Sequence, residues 1–563
     1  MRKGVLGLFL IVSLLIAVRF LWLDKFPPGF NHDEADVVLS AKNYWISGAD
    51  ISGIKFPISL FATKTQAGLA GLPSLITAPF LGIFNLNLFS ARFIFVIVNI
   101  ITGIFLSLVV FRLSKNKNLS IISFVVFLAN PWSFIYARSL TEAPFALLFV
   151  LAGTYFLFGS NGKKIFFSLI FFIFAFFSYF GAKPLLPILV FFLLGIHKHV
   201  TKKTRLVFYV IYFSVFLLVF ASYFIFGHSA RAGELIFSNL NKYSSVINDQ
   251  RRMSIDFLGN GIFNNKVVSL IWEMVGKYFG AYSPDYLFFG GDPRSTYRLG
   301  NHGMFYLLDG VFVIIGIYAL AKQKKDRKGL LYFISVLFMI GPIGSVVSAI
   351  ENSYIFRSFL LIPGFVILIS LGIYYLIQNL FPRKRIFVIL GITLVYLILI
   401  LNFFNFYFFK FSITQQENNF FSERILTNYL FRSKNKVVVV VGSPVQIFQQ
   451  YLFFSGYLNT HRATPIAESG KYFIDNILIT SDCSDVNFQD TFAVSSQVKC
   501  DIKLTKFIEI QDEKDAGVIF KIYNDKMCSF LKLDPWRRFN LLSDYSVEKL
   551  TNANFCERWL NEK

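Results

Sequence analysis

The chain has 563 residues, 55% of them hydrophobic and 18% aromatic, with 71 Phe and a mean hydropathy of +0.57. Long uncharged runs at that composition need hydrocarbon around them, which excludes an ordinary soluble globular protein. The formal charge of +22 invites a nucleic-acid reading, but the cations are dispersed among short loops rather than gathered on one face, so no nucleic-acid partner is expected.

Apolar runs of roughly 17–22 residues predict about eleven transmembrane helices, at 4–23, 92–111, 119–137, 142–159, 165–181, 184–196, 206–227, 304–321, 330–350, 355–378 and 386–405. The sixth run is short and suits a tilted or partly interfacial helix. Basic residues fall in every second loop: Arg2-Lys3, Arg112/Lys115/Lys117, Lys163-Lys164, Lys198/Lys202/Lys203/Arg205, Lys322/Lys324/Lys325/Arg327/Lys328 and Arg383-Lys384-Arg385. The positive-inside rule puts these loops and the N-terminus in the cytoplasm. His197 and His199 have the look of a metal pair, but they sit among those basic residues and read as solvated charge. The first span lacks a small-residue cleavage site before Pro27-Pro28 and reads as a signal anchor that remains. The one Asn-x-Ser/Thr sequon, at Asn118, lies in a predicted cytoplasmic loop, which favours a prokaryotic plasma membrane.

Three longer segments are left outside: 24–91, 228–303 and 406–563. The first opens Pro27-Pro28-Gly29-Phe30-Asn31-His32-Asp33-Glu34-Ala35-Asp36 directly after a span. Two adjacent carboxylates at the mouth of a membrane helix point to acid–base chemistry at the bilayer surface. The competing reading is structural, with Asp33 as N-cap of an interfacial helix and Glu34 and Asp36 complementing its dipole. His32 reads as a polar loop residue. Further along, 37–47 and 72–84 are amphipathic and suit short helices in the headgroup layer. The second outer segment carries Trp272, Tyr278, Tyr282 and Tyr286, then a Gly-rich, charged run from Ser283 to Arg294 that includes Asp292. A loop of that kind can cover a site beside the membrane and reorder on binding.

Ionisable residues also sit at the outer ends of spans: Arg138 and Glu142 between the third and fourth, Lys183 between the fifth and sixth, and Arg357 at the start of the tenth. One such cation can snorkel to the headgroups. Three on the side that carries Asp33-Glu34 suit an anionic lipid headgroup beside a nucleophile to be deprotonated.

Residues 1–405 read as the transmembrane domain and 406–563 as a small extracytoplasmic α/β domain. Within the latter, 437–441, 476–480, 502–510 and 518–523 are expected strands, and 444–456 and 545–561 expected helices. The run Lys436 to Pro444 resembles the start of a nucleotide fold, lacks GxGxxG, and reads as buried strand. All four cysteines, Cys483, Cys500, Cys528 and Cys556, lie here, which suggests two disulfides in an oxidising compartment. Of three connectivities the sequential pairs Cys483–Cys500 and Cys528–Cys556 are favoured; zinc is disfavoured by the lack of CxxC spacing.

Five stretches in order carry a resemblance: Phe30-Asn31-His32-Asp33-Glu34-Ala35 with Gly48-Ala49-Asp50 and Pro57; Asn130-Pro131-Trp132 with Arg138 and Glu142; Ser178-Tyr179 with Lys183 and Pro187; Ser283-Pro284 with Gly291-Asp292 and Gly303; and Pro342 with Arg357. Over residues 20–380 the chain resembles the GT-C superfamily of membrane glycosyltransferases. It is most similar to the dolichyl-phosphate-mannose–protein mannosyltransferase family and its bacterial lipid A aminoarabinose transferase relatives.

That resemblance implies a helical GT-C fold and a polyprenyl-phosphate sugar donor. It implies transfer of a hexosyl or pentosyl group, with inversion, to a hydroxyl of a protein, lipid or glycan acceptor on the extracytoplasmic face. It casts Asp33 as general base, Glu34 as its orienting or acceptor-binding partner, and Arg138, Lys183 and Arg357 as a clamp on the donor phosphate. Asp292 and Arg294, with Glu142, Tyr179 and His302, fall to the acceptor side and its loop. Lys183 stands where relatives often have Arg, no β-trefoil insertion is found, and 406–563 matches no family domain.

The chemistry of the residues agrees. A glycosyl phosphate already carries an activated leaving group, so one base and a cationic clamp suffice. Adjacent carboxylates cannot flank a sugar from both faces as hydrolysis requires, which favours transfer. Asp33, Glu34 and Asp292 are hard oxygen donors suited to Mg²⁺ or Mn²⁺, yet the closer relatives do not need a metal, and none is assigned. The alternative is a flippase or transporter of lipid-linked sugars. Such proteins place charges near the midplane or show internal repeats, neither of which is read here.

Overall fold

Runs of Phe, Leu, Ile and Val make the described elements of residues 2–432 helical, and each expected span overlaps a described helix. The computed structural model describes all residues except 1, 61–70, 160–161, 197–200, 226–234, 256–257, 294–297, 301, 323–327, 350–352, 381, 415–419, 461–469, 515, 529–540 and 563. His197, His199 and Arg294 therefore lie outside the described residues.

Four described helices are long and apolar enough to cross a membrane: Leu88–Ser114, Lys328–Val346, Leu361–Gln378 and Arg385–Phe409. A fifth arises if Lys117–Ala129 and Pro131–Arg138, bent by 62°, form one span. Shorter apolar helices include Leu6–Arg19, Ala143–Leu157, Lys164–Ser178 and Leu185–Gly195. This is the build of a membrane protein, while the expected count of eleven spans is not established by helix length. The first helix ends at Arg19, earlier than the apolar run suggests, because the chain turns at 20–25 with Trp22 at φ 53°.

The chain divides into two compact units: residues 1–19, 96–137 and 142–403, and residues 20–95, 138–141 and 404–563. The cut expected at 405/406 thus separates the sheet domain from segments that cluster with it.

The first unit is helical. Helices Ala143–Leu157 and Gly162–Ser178 pack through rings, with Phe156 stacked on Phe171 at 5.3 Å and Phe149 edge-on to Phe174 at 5.5 Å. Such pairs add to the burial of each ring, and they account for some of the high Phe content. Helices Leu307–Lys322 and Leu361–Tyr375 meet through glycine instead. A Cβ on Gly316 would overlap the Leu368 carbonyl, and one on Gly372 would overlap that of Phe312. Backbones that close need small residues at the crossing.

The second unit joins an amphipathic helical pair to a mixed seven-stranded sheet. Helix His32–Ser47 packs on Leu72–Ile83, the two amphipathic pieces read from sequence, and on Pro444–Phe454. The buried Lys42 ammonium donates to the carbonyls of Leu81, Gly82 and Phe84, each at 3.1 Å, so it caps the end of its neighbour. Strands β1 Val437–Val440, β2 Lys471–Ile474, β3 Ile477–Thr480, β4 Thr491–Ser495, β5 Phe507–Gln511, β6 Val518–Tyr523 and β7 Asn561–Glu562 lie in the order β2-β3-β1-β4-β6-β5-β7. Strand β1 is parallel to β3 and β4 and buried along its whole length, which explains its unbroken valines.

The strand expected over 502–510 starts at Phe507, and the helix expected over 545–561 is confined to Asn552–Trp559. Strands β2, β4 and β7 and helix Phe421–Arg432 were not anticipated. Disulfides Cys483–Cys500 and Cys528–Cys556 join the sequential pairs, with Cα atoms 5.8 and 5.6 Å apart.

Substitution Gly316→Ala forces the crossing helices apart, and overpacking of this kind costs about 1–3 kcal/mol. Gly391→Ala, where a Cβ meets nothing within 4 Å, is the control. Thermal unfolding in detergent should show a lowered midpoint for the first alone; equal midpoints would refute the tight crossing.

Candidate active site

The second unit holds the acidic pair, and its geometry begins with the segment leading into it. Residues 20–31 form no regular ladder, so their carbonyls need other donors. Buried arginines supply them. Arg138 donates to the carbonyls of Leu21 at 2.9 Å, Trp22 at 3.1 Å and Phe26 at 2.6 Å. Arg92 donates to Leu23 at 2.8 Å and Gly29 at 2.9 Å, and Arg424 to Pro28. Gln450 completes the set at the Phe30 carbonyl, 2.7 Å away.

Helix His32–Ser47 then starts from this held segment. Its N-cap is Asn31, not Asp33: the Asn31 side chain accepts from the Glu34 N–H at 2.9 Å, and Glu34 Oε2 accepts from the Asn31 N–H at 3.1 Å. The reciprocal pair is a capping box. The second Glu34 oxygen accepts from the Leu140 N–H at 2.9 Å, so both oxygens are engaged. Burial pushes the Glu34 carboxyl above its ordinary value, against the pull of the Leu140 and Asn31 N–H groups and the Arg92 charge.

Asp33 has none of these constraints. It faces outward with its side chain 52% exposed, and His32 Nε2 lies 3.4 Å from its Oδ1. Two neighbours in sequence are therefore sorted by the helix: one carboxyl is locked into the scaffold and the other is presented to solvent. Asp36, one turn of sequence further, is buried and accepts from Gln449.

The first unit holds Lys183, Tyr179, Arg357, Glu142, Asp292 and His302. Asp292 is wholly buried, and its Oδ2 accepts from the backbone N–H groups of Tyr354 at 2.7 Å and Ile355 at 2.8 Å. The Ile355 carbonyl in turn accepts from Trp132 Nε1 at 2.9 Å and the Tyr136 hydroxyl at 2.6 Å. Ile355 is thus held through both its N–H and its carbonyl, two residues before Arg357. Gly344 lies where a Cβ would come within 2.5 Å of the Arg357 carbonyl and 3.4 Å of Leu185, and Tyr179 meets Phe359 edge-on at 5.9 Å. These contacts bring the Lys183 and Arg357 segments together. Arg357 is half-buried and has no hydrogen bond among the described residues.

Asp292, expected on the acceptor side, holds the Tyr354 and Ile355 backbone N–H groups. Arg138, expected to clamp phosphate, is buried with its guanidinium spent on three carbonyls, so its geometry is that of a scaffold. Glu142 is buried at the N-cap of helix Ala143–Leu157, and His302 packs edge-on to Phe403 at 5.9 Å. Among the described residues no three His, Cys, Asp or Glu side chains gather as a metal ion requires. Both Glu34 oxygens and Asp292 Oδ2 accept from backbone N–H groups.

Not expected from sequence are Arg92 and Arg424 as supports of the lead-in segment in the second unit, and Trp132 and Tyr136 as supports of Ile355 in the first. The signal that marks Arg138, a cation at the outer end of a span, applies equally to Arg92. Nothing local marks Arg424, which acts on a segment 396 residues away.

No family model matches the chain, and no curated protein matches it by sequence. ArnT from Cupriavidus metallidurans bound to undecaprenyl phosphate is similar over 93% of this chain and 98% of that one, at 12% identity and a TM-score of 0.48. The oligosaccharyltransferase of Archaeoglobus fulgidus in complex with Zn and sulfate is similar over 79% of this chain, at 11% identity and a TM-score of 0.43. The match spans only 61% of that enzyme's length.

The Arg424–Glu548 pair allows a test of the scaffold. Its bonds are 2.8 and 2.6 Å, and burial works against the Glu548 charge, but Arg424 outweighs it and holds the carboxyl below 4.5. Stability from this pair is present above pH 4.5 and lost as pH falls through the depressed folded value. Glu548 is itself about a third exposed, so Arg424→Ala acts mainly by leaving the buried Pro28 and Tyr545 carbonyls without a donor and should cost about 1–3 kcal/mol at neutral pH. In acid unfolding profiles the variant should lose less stability than wild type; identical acid dependence would contradict the pairing.

Proposed function

We propose that the protein is an inverting glycosyltransferase that moves a sugar from a polyprenyl-phosphate donor to an acceptor hydroxyl of a protein, lipid or glycan. The observation that carries this reading is the sorting of the acidic pair. Asp33 is an exposed carboxylate on the first turn of a helix whose approach is held by buried side chains, which is what a general base for an external hydroxyl needs. Glu34 orients it through the capping box.

In the reaction the acceptor oxygen attacks the anomeric carbon, and the bond from that carbon to the phosphate oxygen breaks. The acceptor proton passes to Asp33, and polyprenyl phosphate leaves with the bonding electrons. Negative charge grows on the phosphate as the bond breaks, so cations held in place lower the barrier. Arg357 has guanidinium donors to spare, and Lys183 adds a point charge; these two form the phosphate site in this reading. Arg138 is reassigned to the scaffold. The site faces the extracytoplasmic side of a prokaryotic plasma membrane, with the N-terminus in the cytoplasm and the sheet domain outside, as the loop charges indicate.

Purified protein given a panel of polyprenyl-phosphate sugars tests the base. Asp33→Asn should lower turnover by about 10²–10⁴-fold with folding intact; full activity would sink the assignment. Asp292→Asn replaces one acceptor arrangement under two N–H groups and should act through Arg357. It should weaken donor binding more than Asp33→Asn does, read as KM against kcat, and an unchanged donor KM would refute the positioning role.

A further inference from the structure

Helix Lys266–Gly280 has two faces of different fate. On one, Lys277 is buried, donates to the Ser348 carbonyl at 2.7 Å and pairs with Glu273 at 2.8 Å. Glu273 also pairs with Lys242 at 3.0 Å. Partial burial would raise this carboxyl, but hydrogen bonds from Lys277, Tyr243 and Lys242 hold it down to about 2, so the anchor stays charged across the neutral range. On the other face Val267, Ile271, Val275 and Phe279 recur every four residues beside Trp272, and all five are exposed, Trp272 by 70%.

The segment before the helix continues the pattern. Met253, Ile262 and Phe263 are exposed, Ile255 is 92% exposed, and Leu258 projects fully into the surroundings. That is far more contiguous apolar surface than a water-facing loop carries. The place of the helix says what covers it. The Tyr278 hydroxyl donates to the Met339 carbonyl at 3.2 Å, and Tyr282 donates to that of Phe338. Those carbonyls belong to the last turn of helix Lys328–Ile340, within the candidate span Lys328–Val346, and the Met339 side chain is itself 44% exposed. The apolar face is thus continuous with the lipid-facing surface of a span. The exposed Arg251 and Arg252 lie at the start of this apolar segment, where lipid phosphates would meet them.

We propose that residues 253–255 and 258–279 form an interfacial anchor, with the apolar face of helix Lys266–Gly280 and the exposed Met253, Ile255, Leu258, Ile262 and Phe263 sunk into the acyl boundary of the leaflet that adjoins the end of span Lys328–Val346. The helix lies on the bilayer rather than across it. Through Lys277 and Ser348 it ties the backbone leading to Arg357 to the membrane surface.

All four native cysteines are in disulfides, so an added thiol takes a label alone. Leu258→Cys and Ile271→Cys, each carrying an environment-sensitive fluorophore, are reconstituted in phosphatidylcholine–phosphatidylglycerol nanodiscs. Gln250→Cys, at an exposed polar position, is the reference. Doxyl-labelled lipid should quench both test positions severalfold more than the reference, while aqueous iodide should quench them less. Strong iodide quenching at both without a lipid effect would overturn the proposal by placing the face in water. Protection from both quenchers would overturn it too, because a protein surface, such as a second copy of the chain, would then cover the face.

Discussion

Everything about the acidic pair depends on how a ladderless stretch of backbone is satisfied. Residues 21–30 present carbonyls to a buried environment, and an unmatched buried carbonyl costs free energy. Arg92, Arg138, Arg424 and Gln450 meet that demand with hydrogen bonds from fixed, planar groups. Charged donors make stronger bonds than neutral ones, and the arginine fork engages two or three carbonyls at once. The segment therefore arrives at Asn31 in one conformation. The capping box then fixes the first helical turn and with it the direction of Asp33.

The same economy appears in the helical unit. Asp292 does for Tyr354 and Ile355 what the arginines do for the lead-in segment, with the signs reversed: a buried anion satisfies two N–H groups instead of a buried cation satisfying carbonyls. Trp132 and Tyr136 hold the Ile355 carbonyl in the peptide that follows. In both units buried ionisable residues hold backbone, and the less buried Asp33 and Arg357 are the ones to which the proposed chemistry is assigned. Burial thus separates backbone-holding residues from those with open side chains more clearly than residue type does.

This explains why Arg138 and Arg357 read alike from sequence and differ in structure. Each is a cation at the outer end of a predicted span, and each falls in one of the stretches that carry the resemblance read from sequence. Their difference lies in what surrounds them, three carbonyls in one case and open donors in the other. The sequence pattern also could not sort Asp33 from Glu34. Adjacent carboxylates on a first helical turn are equivalent until the N-cap is known, and the choice of Asn31 settles which one reaches back.

Composition and charge alone determined that the chain lives in a membrane, because runs of that hydropathy have no other stable solvent. Local pattern indicated the amphipathic pieces at 37–47 and 72–84, since their apolar period is a property of neighbours in sequence, while the start of the first at His32 came only with the structure. Cysteine placement pointed to the disulfide pairs for a similar reason, each partner being the next in order. The unbroken valines of β1 marked a buried strand, but not its parallel partners. Only the tertiary structure decided which carboxyl is presented, which arginines are scaffold, and that residues 20–95 belong to the same compact unit as the sheet. Those outcomes rest on contacts between residues as far apart as Pro28 and Arg424. No local period encodes such contacts, because burial and hydrogen-bond partners exist only once the chain has closed on itself.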